Sequence, residues 1–200
     1  MATKIIFSVV ILAVLLASVV SAEEEVFDFK NFDIAKFLHT SKVVWVYNTT
    51  EPGTVRCRMD NHTKVEKNST IFSRQFVNNS KKTINERLGK FFIYNSERPP
   101  NDSKYNAMTI YETTGKEEYG EEILEFQSSD STCAVVFVLD YTSIGESAVW
   151  YDLRMSDYTI HSEPPEDCAK RFDYILRQTK KQSWRQIYGA DCRNMHTTSS

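Results

Sequence analysis

The stretch Ala148-Val149-Trp150-Tyr151-Asp152-Leu153-Arg154-Met155 alternates in the manner of a β-strand. Every second side chain of a strand shares a face, so Asp152 and Arg154 point the same way as Trp150. The two charged side chains either face water or face a cavity, where they would have to bind a ligand. The fold to which this strand belongs decides between these alternatives.

Seven earlier runs share this strand-like pattern, and turn signals such as Glu51-Pro52-Gly53 and Thr114-Gly115-Lys116 separate them. Eight strands at this spacing predict an antiparallel barrel or sandwich. The region 79–104 is the most ambiguous, because its apolar residues also fit a short helix. The predicted strands are Lys42–Thr49, Thr54–Asn61, Ser69–Asn78, Thr83–Tyr94, Tyr105–Thr114, Glu118–Ser128, Thr132–Tyr141 and Ala148–Ser156.

The hydrophobic period changes to that of a helix at Pro164-Pro165-Glu166-Asp167. Prolines suit the first turn of a helix, and acidic residues complement its positive end. An apolar stripe follows and includes Cys168, so the helix packs on the barrel and a disulfide can pin it there. A short amphipathic segment, Phe32–Leu38, predicts one or two helical turns before the first strand. We therefore expect an all-β fold with one C-terminal helix, an eight-stranded antiparallel lipocalin barrel that is wide enough for one small ligand.

The first 22 residues predict a secretory signal peptide. Lys4 precedes an unbroken apolar run from Ile5 to Val20, and the small residues Ser21 and Ala22 come before three glutamates. The run is short for a membrane span and lacks a basic stop-transfer flank. We expect cleavage after Ala22 and a secreted, extracellular protein that forms a single domain over residues 23–200.

The composition excludes several function classes. The chain has 24 Lys and Arg against 27 Asp and Glu, and a nucleic-acid binder would instead show a basic face. Its sequence has no CxxC pair or His/Cys cluster, so we expect no metal and no cofactor. The run Gly145-Glu146-Ser147-Ala148-Val149 begins like a nucleophile elbow, but it lacks the final glycine and leads into a strand. We expect a binding protein and not an enzyme.

Four cysteines and five N-x-S/T sequons fit an exported protein. An even number of cysteines predicts two disulfides, for which the sequence alone permits three pairings. Five sequons in one chain predict N-glycosylation, and all of them precede residue 102, so the sugars would cover one part of the surface. The cysteines are Cys57, Cys133, Cys168 and Cys192, and the sequon asparagines are Asn48, Asn61, Asn68, Asn78 and Asn101.

Three segments surround the second and third cysteines: Asp130-Ser-Thr-Cys133-Ala-Val-Val-Phe-Val138, Tyr151-Asp-Leu-Arg-Met-Ser-Asp-Tyr158 and Pro165-Glu-Asp-Cys168-Ala-Lys-Arg-Phe172. With Trp45-Val-Tyr47-Asn-Thr-Thr and the terminal Asp191-Cys192, they resemble the secreted salivary lipocalins of ticks, the histamine-binding protein family. The resemblance covers nearly the whole chain after the signal peptide, and it is poorest over 79–104. It implies that the first cysteine pairs with the last and the second with the third, namely Cys57–Cys192 and Cys133–Cys168.

The resemblance also implies a site for a biogenic amine inside the barrel. In such a site, aromatic rings supply cation–π attraction and carboxylates supply charge. Alternation supports one of the acids, since Glu122 shares a face with the apolar Leu124 and Phe126 and is therefore expected to be buried. The residues at matching positions are Tyr47, Glu51, Tyr111, Glu122 and Asp152.

Two residues depart from the family pattern. Ala134 stands where amine binders often have an aspartate, and Arg154 stands where they have an aromatic residue. Arg154 has three interpretations. It neutralises Asp152, it pairs with Glu122 and weakens amine binding, or it receives a ligand carboxylate, which a guanidinium binds as a fork. The third interpretation would suit a fatty acid or an eicosanoid, which related tick lipocalins also carry.

We therefore expect a monomeric salivary protein that sequesters histamine or serotonin of the host and so blunts inflammation, with no nucleic-acid or membrane partner. A scavenger of lipid mediators such as fatty acids or leukotrienes is the alternative, supported by Ala134 and Arg154. A further alternative is an inhibitor that binds a host immune or complement protein. Its contact surface would then be the sugar-poor half after Asn101.

Overall fold

Eight antiparallel strands follow one another in the computed structural model, which describes residues 32–94, 104–142, 148–180 and 183–195. Their bounds agree with the predicted ones to within a few residues, and two strands match at both ends. The strands are β1 (Val43–Thr49), β2 (Arg56–Val65), β3 (Ser69–Asn78), β4 (Lys81–Phe92), β5 (Ala107–Glu112), β6 (Glu118–Gln127), β7 (Cys133–Asp140) and β8 (Ala148–Ser156).

Two of the sequence predictions lie outside the described residues. They are the signal peptide, residues 1–22, and the sequon at Asn101. Among the residues that are described, no helix has both the length and the apolar character that a membrane crossing requires.

The sheet closes on itself. Each strand pairs with the next along the chain, and β1 pairs with both β2 and β8. This closure confirms the eight-stranded barrel and excludes an open sandwich. The ambiguous region contains β4, which pairs with β3 from Lys81 opposite Asn78 to Lys90 opposite Ser69. The helix interpretation of this region is therefore wrong, because ten residues in succession are held in the β-ladder.

The helices lie at different places on the barrel. Helix α1 (Ile34–Thr40) buries its apolar residues among the interior side chains and closes one end. Asp33 caps it by accepting a hydrogen bond from the backbone N–H of Lys36 at 3.2 Å. Helix α2 (Glu166–Gln178) packs on the outer face of β7 through its apolar stripe. A short strand, β9 (Arg185–Gln186), then pairs with β1.

Alternation along the strands divides the apolar residues into two cores. The inner core fills the closed end of the barrel and contains Phe72, Met108 and Leu124. The outer core lies between the barrel wall and α2 and contains Trp45 and Phe172. Both disulfides belong to the outer core.

The structure has the two disulfide pairings that the family resemblance implies. Cys133 of β7 is bonded to Cys168 of α2, and Cys57 of β2 is bonded to Cys192 near the C-terminus. The first bond fixes the helix to the barrel wall. The second fixes the described segment after the helix to the start of β2, so the barrel is bonded both to α2 and to the segment that contains Cys192.

Candidate functional site

A cavity of about 380 Å³ opens at the end of the barrel opposite to α1. Its volume lies in the range of small-molecule sites. Apolar and charged side chains both line it. They come from the strand ends that lie opposite to α1 and from the loop after β1. Among the lining residues are Glu51, Arg58, Arg74, Phe76, Asn78, Asn85, Arg87, Ile110, Tyr119, Val138, Asp140 and Trp150.

Arg58 is the most enclosed cation of the cavity wall. Its side chain comes from β2 and lies between two rings, with the guanidinium carbon 5.9 Å from the centroid of Phe76 and 5.8 Å from that of Trp150. One nitrogen, Nη2, donates to Glu51 Oε1 at 2.8 Å. The residue is only 7% exposed, so the rings and the acid hold it in a fixed position.

Two buried donors of this wall have no hydrogen-bond partner. They are Nε of Arg58 and the indole Nε1 of Trp150, whose residue is 5% exposed. A buried donor without an acceptor costs free energy, and most buried polar groups in proteins are paired. Both residues line the cavity, so a bound molecule could satisfy these two nitrogens if the wall shifts enough for its acceptor atoms to reach them.

A network of buried ion pairs lies below the cavity, and one of its residues, Arg74, also lines the cavity. Arg154 donates to Glu122 with Nη1–Oε2 and Nη2–Oε1 distances of 2.5 and 2.7 Å, and also to Asp152 at 3.0 Å. Arg74 donates to Glu122 Oε1, which also accepts from Arg154 Nη2, at 2.7 Å. It also donates to both oxygens of Asp60. Glu122 therefore lies between two arginines, and we call these five residues the charged floor.

Burial and pairing act in opposite directions on the charged floor. Burial alone would raise the pKa of Glu122, which is 1% exposed. The guanidinium groups of Arg154 and Arg74 outweigh burial and hold the pKa of Glu122 well below its ordinary value. Burial likewise opposes the charge of Arg154, but Glu122 and Asp152 raise its pKa above the ordinary arginine value. Glu122 and Arg154 are consequently ionised at neutral pH.

His62 lies next to the charged floor, on β2. Its Nδ1 is 2.8 Å from the Thr70 hydroxyl, and its ring lies 5.0 Å from the ring of Phe72 at a tilt of 31°. Burial lowers the pKa of His62 to about 4, and the nearby carboxylates of Asp60 and Glu122 only partly oppose this shift. The imidazole is therefore neutral at physiological pH.

A family model described as tick histamine binding protein matches residues 22–194. The chain belongs to the tick histamine-binding protein family. It is accordingly a lipocalin-type small-ligand-binding protein. A search of curated proteins found no match.

Solved lipocalins have the same fold as this tick histamine-binding family member. The siderocalin Ex-FABP is similar with a TM-score of 0.51 and 9% identity, over 70% of this chain and 87% of that one. Siderocalin Q83 has a TM-score of 0.50 and 8% identity, with coverages of 74% and 88%. A mutant of LTBP1 in complex with leukotriene C4 has a TM-score of 0.48 and 10% identity, with coverages of 80% and 89%, and the shared fold rests on the two siderocalins. At these identities the likeness concerns the fold alone.

One of the six expected ligand-binding residues of this family member lines the cavity, and three others lie together in the charged floor. Glu51 lies on the cavity wall, in the loop after β1. Glu122, Asp152 and Arg154 lie together in the charged floor, below the residues that line the cavity. Asp152 also accepts a hydrogen bond from the Thr49 hydroxyl at 2.7 Å.

The two expected tyrosines lie elsewhere. Tyr47 belongs to the outer core, where its ring stacks on Tyr188 at 6.2 Å and its hydroxyl donates to Glu163 at 3.4 Å. Tyr111 follows the inward-facing Ile110 on β5 and so turns outward. Its hydroxyl donates to Glu118 at 2.9 Å. Neither tyrosine lines the cavity.

The geometry combines two of the three interpretations of Arg154. The side chain pairs with Asp152 and also with Glu122. Every nitrogen of the guanidinium donates to one of these two carboxylates. A ligand carboxylate at Arg154 would therefore have to displace a buried protein carboxylate.

Arg58, Arg74 and Asp60 are the site residues that the sequence prediction missed. A signal for Arg74 is present, because Phe72 and Phe76 flank it at alternate positions of β3 and an apolar face points inward. The signal for Arg58 is weaker. The strand changes register between Arg56 and Met59, and Cys57 has a positive φ of 51°, so simple alternation fails there.

Proposed function

We propose that this protein is exported and sequesters one small amphipathic anion, such as a fatty acid or an eicosanoid mediator of the host, in the barrel cavity. The observation that carries the proposal is the pair of buried, unpartnered donors, Arg58 Nε and Trp150 Nε1, on the cavity wall. A carboxylate supplies acceptor atoms for both donors.

The charged floor favours an anion over an amine. A buried carboxylate attracts an ammonium group only where its charge is not already compensated. Glu122 accepts from both Arg154 and Arg74, and Asp152 accepts from Arg154 and Thr49. An amine at Glu122 would have to replace an arginine in a bidentate pair, which costs more than it gains.

The wall above the floor suits the apolar part of such a ligand. Phe76, Ile110, Val138 and Trp150 line the cavity beside the two donors. Below the floor the described interior is packed. A side chain on Gly89 would come within 2.9 Å of Thr70 and 3.0 Å of Met108. These contacts support one ligand per chain, held in the upper half of the barrel.

A small amine bound at the cavity mouth is the second candidate, and Glu51 favours it. The Oε2 atom of Glu51 is buried and has no hydrogen-bond partner, and Arg185 Nη2 lies 3.7 Å from it. Among the described residues of the cavity wall, this is the one buried acid oxygen without a hydrogen bond, although the other oxygen of Glu51 accepts from Arg58 at 2.8 Å. Histamine or serotonin at this position would retain the role that the family resemblance implies.

Export is supported by the signal-like first 22 residues and by two disulfides, which persist in oxidising compartments. Sequestration of a host mediator outside the cell would blunt host inflammation and defence. This part of the proposal depends on the ligand, so the ligand is the first thing to test.

The test is calorimetric titration of the full secreted chain with arachidonic acid and, separately, with histamine. We expect arachidonic acid to bind with a stoichiometry near one per chain. Arg58→Lys keeps the charge but removes the Nε donor, so affinity should fall roughly tenfold, the value of one hydrogen bond to a charged group. Arg56→Lys, on the exposed side of the same strand, is the matched control.

Each outcome separates the candidates. Binding of arachidonic acid that Arg58→Lys weakens and Arg56→Lys does not would support the anion site. Binding of histamine alone, lost in Glu51→Gln, would support the second candidate and contradict the first. If neither ligand gave a heat of binding, both the anion site and the amine site would be contradicted. The outer surface would then be the next place to look for a protein partner.

A further inference from the structure

We infer that Asn78 carries an N-linked glycan that stands at the rim of the cavity and slows the passage of the ligand. The inference rests on the proposed function, because it assigns a role to the entrance of the same cavity. It concerns a modification site and the kinetics that follow from its position.

Asn78 is the outermost residue of an inward-facing row. Side chains at alternate positions of β3 share a face, and Phe72, Arg74, Phe76 and Asn78 occupy that face in order. Phe72 is in the inner core, Arg74 is in the charged floor, and Phe76 is on the cavity wall. Asn78 completes the row at the rim, where it lines the cavity and is exposed.

The local geometry leaves the modifiable atom available. Asn78 Oδ1 accepts a hydrogen bond from the Thr54 hydroxyl at 2.7 Å, and the same hydroxyl contacts Asn79 Oδ1 at 3.0 Å. This bond orients the amide and uses its oxygen, whereas a glycan is linked to the nitrogen. Ser80, the third residue of the sequon, is also exposed, in the hairpin turn between β3 and β4.

The asparagines of the other described sequons do not line the cavity. Asn68 is in the turn between β2 and β3, at the closed end, where its carbonyl accepts from the backbone N–H of Phe91. Asn61 is within β2, paired with β3. Asn48 is in β1 between β8 and β9, and its side-chain oxygen is buried. None of these three asparagines is among the residues that line the described cavity.

A glycan at this position affects kinetics more than affinity. It is bulky and hydrated, and it is attached at the rim, above the wall residues that would hold the ligand. It restricts the path in and the path out to the same degree. The association and dissociation rates should therefore fall together, while their ratio, which is the dissociation constant, changes little.

The experiment compares three full-length proteins secreted from a eukaryotic host. Ser80→Gly abolishes the sequon but keeps Asn78 and its bond to Thr54. Glycine also suits the positive φ of 64° at this turn position. Asn68→Gln removes the sequon at the closed end and serves as the control. Peptide mass spectrometry measures glycan occupancy, and stopped-flow fluorescence measures the binding rates of dansyl-labelled undecanoic acid.

We expect a glycan on the Asn78 peptide of the wild-type protein. In Ser80→Gly both rates should rise together by about three- to tenfold, within the range over which association rates vary among related sites. Asn68→Gln should keep the wild-type rates. An unmodified Asn78, or equal rates in wild type and Ser80→Gly, would overturn the inference while leaving the binding function intact. Failure of the probe to bind any of the three proteins would instead overturn the proposed function, and the inference with it.

Discussion

Ala134 and Arg154 are direct cross-strand partners, on β7 and β8. These are the two positions at which the chain departs from the family pattern of an aspartate and an aromatic residue. Both side chains are buried on the inward face. The two departures therefore form one coupled change, in which an acid is lost beside the position where a base is gained.

Replacing Arg154 should destabilise the protein and leave buried carboxylates that a bound cation can neutralise. In Arg154→Phe, Glu122 and Asp152 lose their shared arginine and stay buried, so unfolding free energy should fall by roughly 3–5 kcal/mol. Histamine can then neutralise the released carboxylates. We expect histamine to raise the thermal midpoint of the variant and to leave the wild type unchanged, as measured by scanning calorimetry. A variant that histamine fails to stabilise would show that the floor cannot accept an amine.

Glu122→Gln should be milder than Arg154→Phe. The glutamine keeps the shape of the side chain, and Arg154 and Arg74 retain Asp152 and Asp60 as partners. The loss is then of charge-assisted hydrogen bonds, about 1–3 kcal/mol of unfolding free energy by urea titration. Glu121→Gln, the neighbouring residue on the opposite face of β6, is the control and should cost little. If Glu122→Gln cost more than Arg154→Phe, the pairing scheme of the floor would be wrong.

The stability of the protein should fall as the pH drops from about 6.5 to about 4 because of His62. The folded-state pKa of His62 is about 4, below the ordinary 6.5, so in this window the unfolded chain binds a proton that the folded chain does not. The loss should approach roughly 3 kcal/mol at the acid end.

Urea titrations at several pH values measure this slope. His62→Asn retains a donor near the position of Nδ1 but has no titratable group, so its stability should depend less steeply on pH. His39→Asn removes an exposed histidine and should leave the slope as it is in the wild type. Parallel slopes for wild type and His62→Asn would assign the pH dependence to other groups.

Loss of the Cys133–Cys168 disulfide should loosen α2 from the barrel. The bond closes a loop of 35 residues, so its removal by a double alanine substitution should cost about 4 kcal/mol of unfolding free energy. The Cys57–Cys192 bond spans 135 residues, and its removal should cost about 5 kcal/mol. Guanidinium titrations of the two double variants would show which one loses more unfolding free energy. A larger loss for the Cys133–Cys168 variant would contradict the loop-length argument.

The fold could be predicted from the sequence because apolar and polar residues alternate along most strands. The C-terminal helix also begins at a clear signal of prolines followed by acidic residues. Ser69–Asn78 and Ala148–Ser156 match the predicted bounds at both ends. The weak region contained β4, whose polar and apolar residues alternate poorly. Pairing with β3 holds it as a strand, and such pairing is a tertiary effect that local pattern does not contain.

The site could be predicted from the sequence only in part. Alternation correctly indicated that Glu122 is buried, but it does not say which partners share its cavity. Tyr111 could have been placed outside from the inward direction of its neighbour Ile110. Arg58 follows a change of register at Cys57, so only the folded chain shows that it lies between two rings.

Helix α1 closes the far end of the barrel, so the cavity has a single entrance in the described structure. A molecule that enters must leave by the same route, and the chain cannot pass one ligand onward while it accepts the next. Its capacity is then set by its own abundance. At concentrations below that of its ligand it would have little effect, and above that threshold the free ligand would fall sharply, so the dose of protein decides the outcome.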